Sequence, residues 1–136
     1  FEIIIWPVNI AAFLCPILAF FVDLGHNRSK QVRGGILMTI EKVLNVFSGY
    51  LKQNTAVEVV ETARGHVVMI WDSRMKDWSD VYHCPTAKVL MNTLLNCKEV
   101  FDEECFTRGE RDLTDDERVR VAQMRQEMQR LCESDE

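Results

Sequence analysis

Ala56-Val57-Glu58-Val59-Val60-Glu61-Thr62-Ala63-Arg64-Gly65-His66-Val67-Val68-Met69-Ile70-Trp71 is the stretch whose reading decides the fold. Its first part, through Thr62, is rich in Val, a residue whose branched side chain suits a pleated, half-buried surface. Its last part, from His66, is an almost continuous apolar run. Ala63-Arg64-Gly65 separates them, and Gly65 is free to take positive φ. Two such runs around a short turn predict a β-hairpin. The second strand is apolar on both faces, with Val67, Met69 and Trp71 on one and Val68 and Ile70 on the other. That pattern predicts a central strand covered on both sides.

The hairpin extends to a third strand. Asp72-Ser73-Arg74-Met75-Lys76-Asp77 is a polar connection. Residues 78–83 then alternate, with Trp78, Asp80 and Tyr82 set against Ser79, Val81 and His83. Upstream, Ile40, Val43, Leu44, Phe47 and Leu51 recur at helical spacing and predict a helix over residues 39–53. Gly49 within it reads as a site of close packing. Downstream, Cys84-Pro85-Thr86 opens a helix that carries Leu90, Leu94, Cys97 and Phe101 on one stripe and runs to about Cys105. Thr114-Asp115-Asp116-Glu117 has the spacing of a capping box. Val121, Met124, Met128 and Leu131 after it predict a narrow apolar seam. The fold class expected is α+β: a three-stranded antiparallel β-meander with an N-terminal helix and two C-terminal helices, α-β-β-β-α-α.

Residues 1–37 are unlike the rest. Between residues 3 and 22 only Asn9 is strongly polar. Twenty helical residues reach about 30 Å, the hydrocarbon thickness of a bilayer. Arg28, Lys30 and Arg33 follow and would set the C-terminal side in the cytoplasm. On this reading the leader is a single-pass membrane anchor. On the other reading it is translated upstream sequence. Arg33-Gly34-Gly35 back-translates to a purine-rich ribosome-binding sequence at bacterial spacing from Met38, which then becomes the start. Either way, residues 38–136 are expected to form an acidic domain with a cytoplasmic location.

The charge limits function. The chain carries a formal −5. From Met38 onward there are 13 Lys and Arg against 19 Asp and Glu, about −6. Such a surface opposes direct affinity for nucleic acid and favours a protein partner, on charge grounds a basic one. The five cysteines, Cys15, Cys84, Cys97, Cys105 and Cys132, are odd in number and irregular in spacing. They read as reduced, buried thiols with no metal and no cofactor.

Chemistry-bearing groups are few. His83 and Cys84, with His66 on the neighbouring strand, are the residues a thiol enzyme or small hydrolase would use. Adjacent strand residues point to opposite faces, so His66 is the better placed base. Asp72, Asp77 and Asp80 gather near one strand connection and read as turn-capping carboxylates. The candidate interface residues are Trp78 and Tyr82, because aromatic side chains concentrate at binding hot spots, and the acids Asp102, Glu103, Glu104, Asp115 and Asp116. Displayed together, these carboxylates could imitate nucleic-acid phosphates and occupy a basic groove.

The α-β-β-β-α order over residues 39–105 resembles the double-stranded-RNA-binding domain, by topology alone. That resemblance implies a lysine cluster at the start of the last helix to grip phosphates. The matching stretch here is Cys84-Pro85-Thr86-Ala87-Lys88, with one lysine. The function expected is therefore a small non-enzymatic binding or regulatory protein of bacterial or phage type, acting through protein contacts. The alternatives are an acidic nucleic-acid mimic, a nucleic-acid binder with this arrangement, and a small hydrolase or thiol enzyme.

Overall fold

The computed structural model describes residues 38–134. The membrane-anchor and upstream-sequence readings of residues 1–37, and Cys15, lie outside the described residues. The observed order is α1 (Ile40–Gln53), β1 (Val57–Thr62), β2 (Gly65–Asp72), β3 (Asp77–Cys84), α2 (Ala87–Thr107) and α3 (Asp115–Glu133). This is the α-β-β-β-α-α architecture expected.

Each helix begins on a threonine. Thr39 Oγ1 accepts the Lys42 amide at 3.2 Å, and Thr86 Oγ1 accepts the Val89 amide at 3.3 Å. At α3 the capping box is complete: Thr114 Oγ1 accepts the Glu117 amide at 3.3 Å, and Glu117 Oε2 accepts the Thr114 amide at 2.9 Å. These caps satisfy amides that the helix itself leaves orphaned. Gly65 opens β2 at φ +115°, and a Cβ there would lie 3.1 Å from the Cys84 carbonyl oxygen and 3.2 Å from Pro85 Cα. The hairpin therefore requires glycine for both backbone angle and space. Gly49 differs from expectation: a Cβ there would meet no described atom within 4 Å outside its own helix backbone, so the position is not one of close packing.

The strands form an antiparallel sheet in the order β1-β2-β3. Val57, Val59 and Glu61 stand across from Ile70, Val68 and His66. On the other side Val68 faces Tyr82 and Met69 faces Val81. The register then breaks: Ile70 pairs with Asp80, but Trp71 pairs with Trp78. Ser79 is the extra residue, a β-bulge, and its hydroxyl donates to the Ile70 carbonyl at 3.2 Å.

All three helices lie to one side of the sheet. The buried strand residues Val57, Val68 and Cys84 share that face, with Ile70 and Tyr82 packed at its edge. Leu90, Met91, Leu94 and Leu95 of α2 meet them, and Val43, Phe47 and Tyr50 of α1 complete the core. The expected covering of β2 on both faces is corrected. Val67, Met69 and Trp71 are only half-buried, because α3 packs on α2 and α1 and not across the sheet. The α3 seam is also rotated from expectation. Val121 and Cys132 are buried with Met128 beside them, whereas Met124 and Leu131 are each 37% exposed. Arg125 lies on the same inward stripe: it turns toward α2, donating to Glu99 at 2.8 Å and Asn96 at 2.9 Å.

One-sided burial predicts unequal costs on the two faces. Leu94→Ala, in the core, should lose about 2–5 kcal/mol of unfolding free energy. Val81→Ala, on the uncovered face, should change it by less than about 0.5 kcal/mol. Urea titration followed by circular dichroism measures both, and equal losses would contradict the one-sided arrangement.

Candidate protein-interaction surface

The uncovered sheet face is built by strand alternation plus the bulge. Pairing places Val60 and Glu58 of β1, Val67 and Met69 of β2, and Val81 and His83 of β3 on one side. Without the Ser79 bulge, Trp78 would point inward with Asp80 and Tyr82. The inserted residue turns it outward beside Trp71. The two indoles meet edge to face, centroids 5.2 Å apart and planes at 77°, a geometry that aligns ring edge with ring face charge. Val60 is 40% and Val81 60% exposed. The result is a strip of six apolar side chains, Val60 and Val81 exposed and the other four half-buried, that no other described element covers, with Glu58 and His83 at its margins. His83 is held by its Nε2, which donates to the Arg64 carbonyl at 2.9 Å. Contiguous exposed apolar surface of this kind marks contact sites.

The structure separates the residues that the sequence suggested as one interface. Tyr82 lies across from Val68 on the inner face and packs against the core, so it does not join Trp78. Asp102 is buried at 7% exposure, and Lys98 Nζ donates to it at 2.6 Å. Glu103 and Glu104 are half-buried on the same helix. Burial raises the pKa of both, and for Glu103 the neighbouring Glu99 adds to the rise. Asp115 and Asp116 are exposed in the first turn of α3, with Arg118 Nη1 3.2 Å from Asp115. The carboxylates thus fall into separate, partly neutralised groups. The member sequence reasoning missed is Trp71 as a surface partner of Trp78. Its signal was the doubly apolar pattern of β2 itself.

The other candidate groups resolve into structure. His66 and Cys84 are brought together, directly across the β2-β3 ladder, and His66 Nδ1 has no hydrogen-bond partner among the described residues. Cys84, however, is fully buried beneath α2, its Sγ 3.6 Å from Thr93 Oγ1. Burial pushes its thiol pKa up, away from the thiolate a nucleophile needs. Asp72 is buried and accepts the Arg74 and Met75 amides at 2.8 and 3.3 Å. Asp77 accepts the Trp78 amide at 2.8 Å. Among the described residues no group of three or more His, Cys, Asp or Glu is placed to hold a metal ion. No helix among them is long and apolar enough to cross a membrane.

Comparison with known proteins adds no assignment: no family model, no curated protein and no solved structure matches the chain. The likeness to the double-stranded-RNA-binding domain rests on the order of the elements.

Two measurements check this geometry. Arg111 closes the α2-α3 connection, donating to both Glu117 carboxylate oxygens at 2.7 Å and to the Phe106 carbonyl at 3.1 Å. With the Thr114 amide it holds the Glu117 pKa down at about 2. A free glutamate titrates near pH 4.3, so the clamp stabilises the fold fully above about pH 5, and the effect disappears as pH falls through about 2. The urea midpoint of Glu117→Gln should lie below that of the wild type by a constant gap above pH 5, and the gap should close toward pH 2. A gap that does not depend on pH would contradict the clamp.

The thiols differ sharply in access. Cys84 and Cys132 are buried, and burial with nearby charge raises the half-buried Cys97 to about 12. Cys105 is exposed, which corrects the expectation of uniformly buried thiols. Iodoacetamide on the native chain should alkylate Cys105 well before Cys84, Cys97 or Cys132, as read by peptide mass spectrometry. Equal labelling of all four would contradict the packing.

Proposed function

We propose that this protein is a small non-enzymatic binding protein whose working surface is the uncovered sheet face. The observation that carries the reading is the partly exposed strip Val60, Val67, Met69, Trp71, Trp78 and Val81, left uncovered by the described helices, which all pack on the opposite side. Burial of such side chains contributes roughly 25 cal/mol per Å² of apolar surface removed from water. Two adjacent indoles supply the large, rigid contact area typical of binding hot spots. The acidic-mimic reading has less support, because Asp102 is buried and Glu99, Asp115 and Glu117 are each paired with arginine. The net charge opposes a nucleic-acid partner. An enzyme would need a converging, accessible set of groups, and the buried, pKa-raised Cys84 does not supply one.

The test is affinity capture with the full chain and with its Val81→Glu variant. Val81 is largely exposed, so the variant should keep native circular dichroism and lose at least tenfold of any bound protein. Unchanged recovery by a natively folded variant would contradict the reading.

A further inference from the structure

We propose that the free edge of β1 is a second binding site, which takes an extended basic segment of another protein as an added antiparallel strand. The site is the outer margin of the strand and is distinct from the sheet face. The first argument is hydrogen-bond parity. β1 lies at one end of the order β1-β2-β3, and β2 is its only extended backbone neighbour among the described elements. The Trp71 amide donates to the Ala56 carbonyl at 2.7 Å. Bonded residues alternate along an antiparallel ladder, so this register turns the amides and carbonyls of Glu58, Val60 and Thr62 toward β2. Val57, Val59 and Glu61 turn theirs off the sheet. The Val57 amide is taken by the Asn54 carbonyl at 3.3 Å. The Val57 carbonyl and both backbone groups of Val59 and Glu61 remain, a row of donors and acceptors that an added strand pairs.

The second argument is which edge can accept a strand. β3, the opposite edge, is interrupted by the Ser79 bulge, and α2 packs against it. Bulges twist an edge away from further pairing. β1 has no bulge, and Val57 to Thr62 pair with β2 in unbroken register. Val60, Glu61 and Thr62 are exposed and Val59 is half-buried.

The third argument is charge. Glu58 and Glu61 are exposed, stand across from Met69 and His66, and form no ion pair among the described residues. In this they differ from Glu99, Asp102, Asp115 and Glu117, each of which meets a lysine or arginine. β1 itself carries no cation. A second copy paired at this edge would bring Glu58 and Glu61 of both chains into one ribbon, so the edge disfavours its own copy. An antiparallel segment reading Lys-Val-Val-Lys, with its second valine across from Val59, sets its lysines across from Glu61 and Glu58. Its first valine then stands across from Val60. Cross-strand pairs of opposite charge stabilise, and like charges directly opposite destabilise.

Fluorescence anisotropy of a labelled Thr-Lys-Val-Val-Lys-Thr peptide, titrated with the full chain, tests the proposal. This peptide should bind about tenfold tighter than the same peptide with glutamates in place of its lysines. The difference should shrink as salt rises. Glu58→Lys combined with Glu61→Lys, both at exposed positions, should reverse the preference while circular dichroism stays native. N-methylation of the second valine, whose amide donates to the Val59 carbonyl, should remove binding. N-methylation of the first valine, whose amide points away from the edge, should leave it intact. Val81→Glu, on the far strand, should also leave it intact. The proposal is overturned if the lysine peptide shows no saturable binding, or if binding survives N-methylation of the second valine. Loss of peptide binding in natively folded Val81→Glu would overturn it too, by placing the peptide on the sheet face. The capture test of Val81→Glu judges that face separately, so either site can fail while the other stands.

Discussion

The structure depends on the apolar stripe of α2. Leu90, Met91, Leu94 and Leu95 are fully buried or nearly so, and they sit between the sheet, α1 and α3. Each such side chain contributes about 1.5–3 kcal/mol when taken out of water. α1 brings Val43, Phe47 and Tyr50 to that stripe, and β1, β2 and β3 bring Val57, Val68 and Cys84. Tyr50 also meets Phe101 edge to face, centroids 5.6 Å apart. Because α1, α3, β2 and β3 all pack on this one helix, the helices end on one side of the sheet. The bare sheet face is the consequence of that single-centred core.

Local polar contacts hold the helices to this centre at their ends. Arg111 and Glu117 fix the α2-α3 turn. Arg125 ties α3 to Glu99, and Lys42 of α1 donates to the Ser134 carbonyl just past α3. Exposed pairs of this type are individually weak. They lie beside the buried α3 positions Val121, Met128 and Cys132 and agree with that orientation. The same pairs consume carboxylates, so the acidic composition of residues 99–117 does not become a continuous anionic surface.

Much of this architecture was legible in the residues. The hairpin at Ala63-Arg64-Gly65, the capping box at Thr114 and the six elements follow from local rules of spacing and turn chemistry. What was not legible depends on contacts between elements. Periodicity identifies Val67, Met69 and Trp71 as apolar but does not say whether a helix covers them. The bulge at Ser79 depends on a hydroxyl reaching the Ile70 carbonyl and on two indoles meeting, and neither has a sequence period. It moved Trp78 away from Tyr82 and so split the expected interface. Asp102 reads as a surface acid until Lys98, one turn earlier, is seen to cover it.

The central claim is that the sheet face is the surface this protein uses for binding. Hydroxyl-radical footprinting of the full chain measures this most directly. It compares the free chain with the chain bound to a protein it captures. Met75, on the β2-β3 connection and 74% exposed, is an internal reference outside the contact. The account predicts that association slows oxidation of Met69 and Trp78 several-fold and leaves Met75 unchanged. Equal oxidation of Met69 and Trp78 in both states, with Met75 constant, would contradict it.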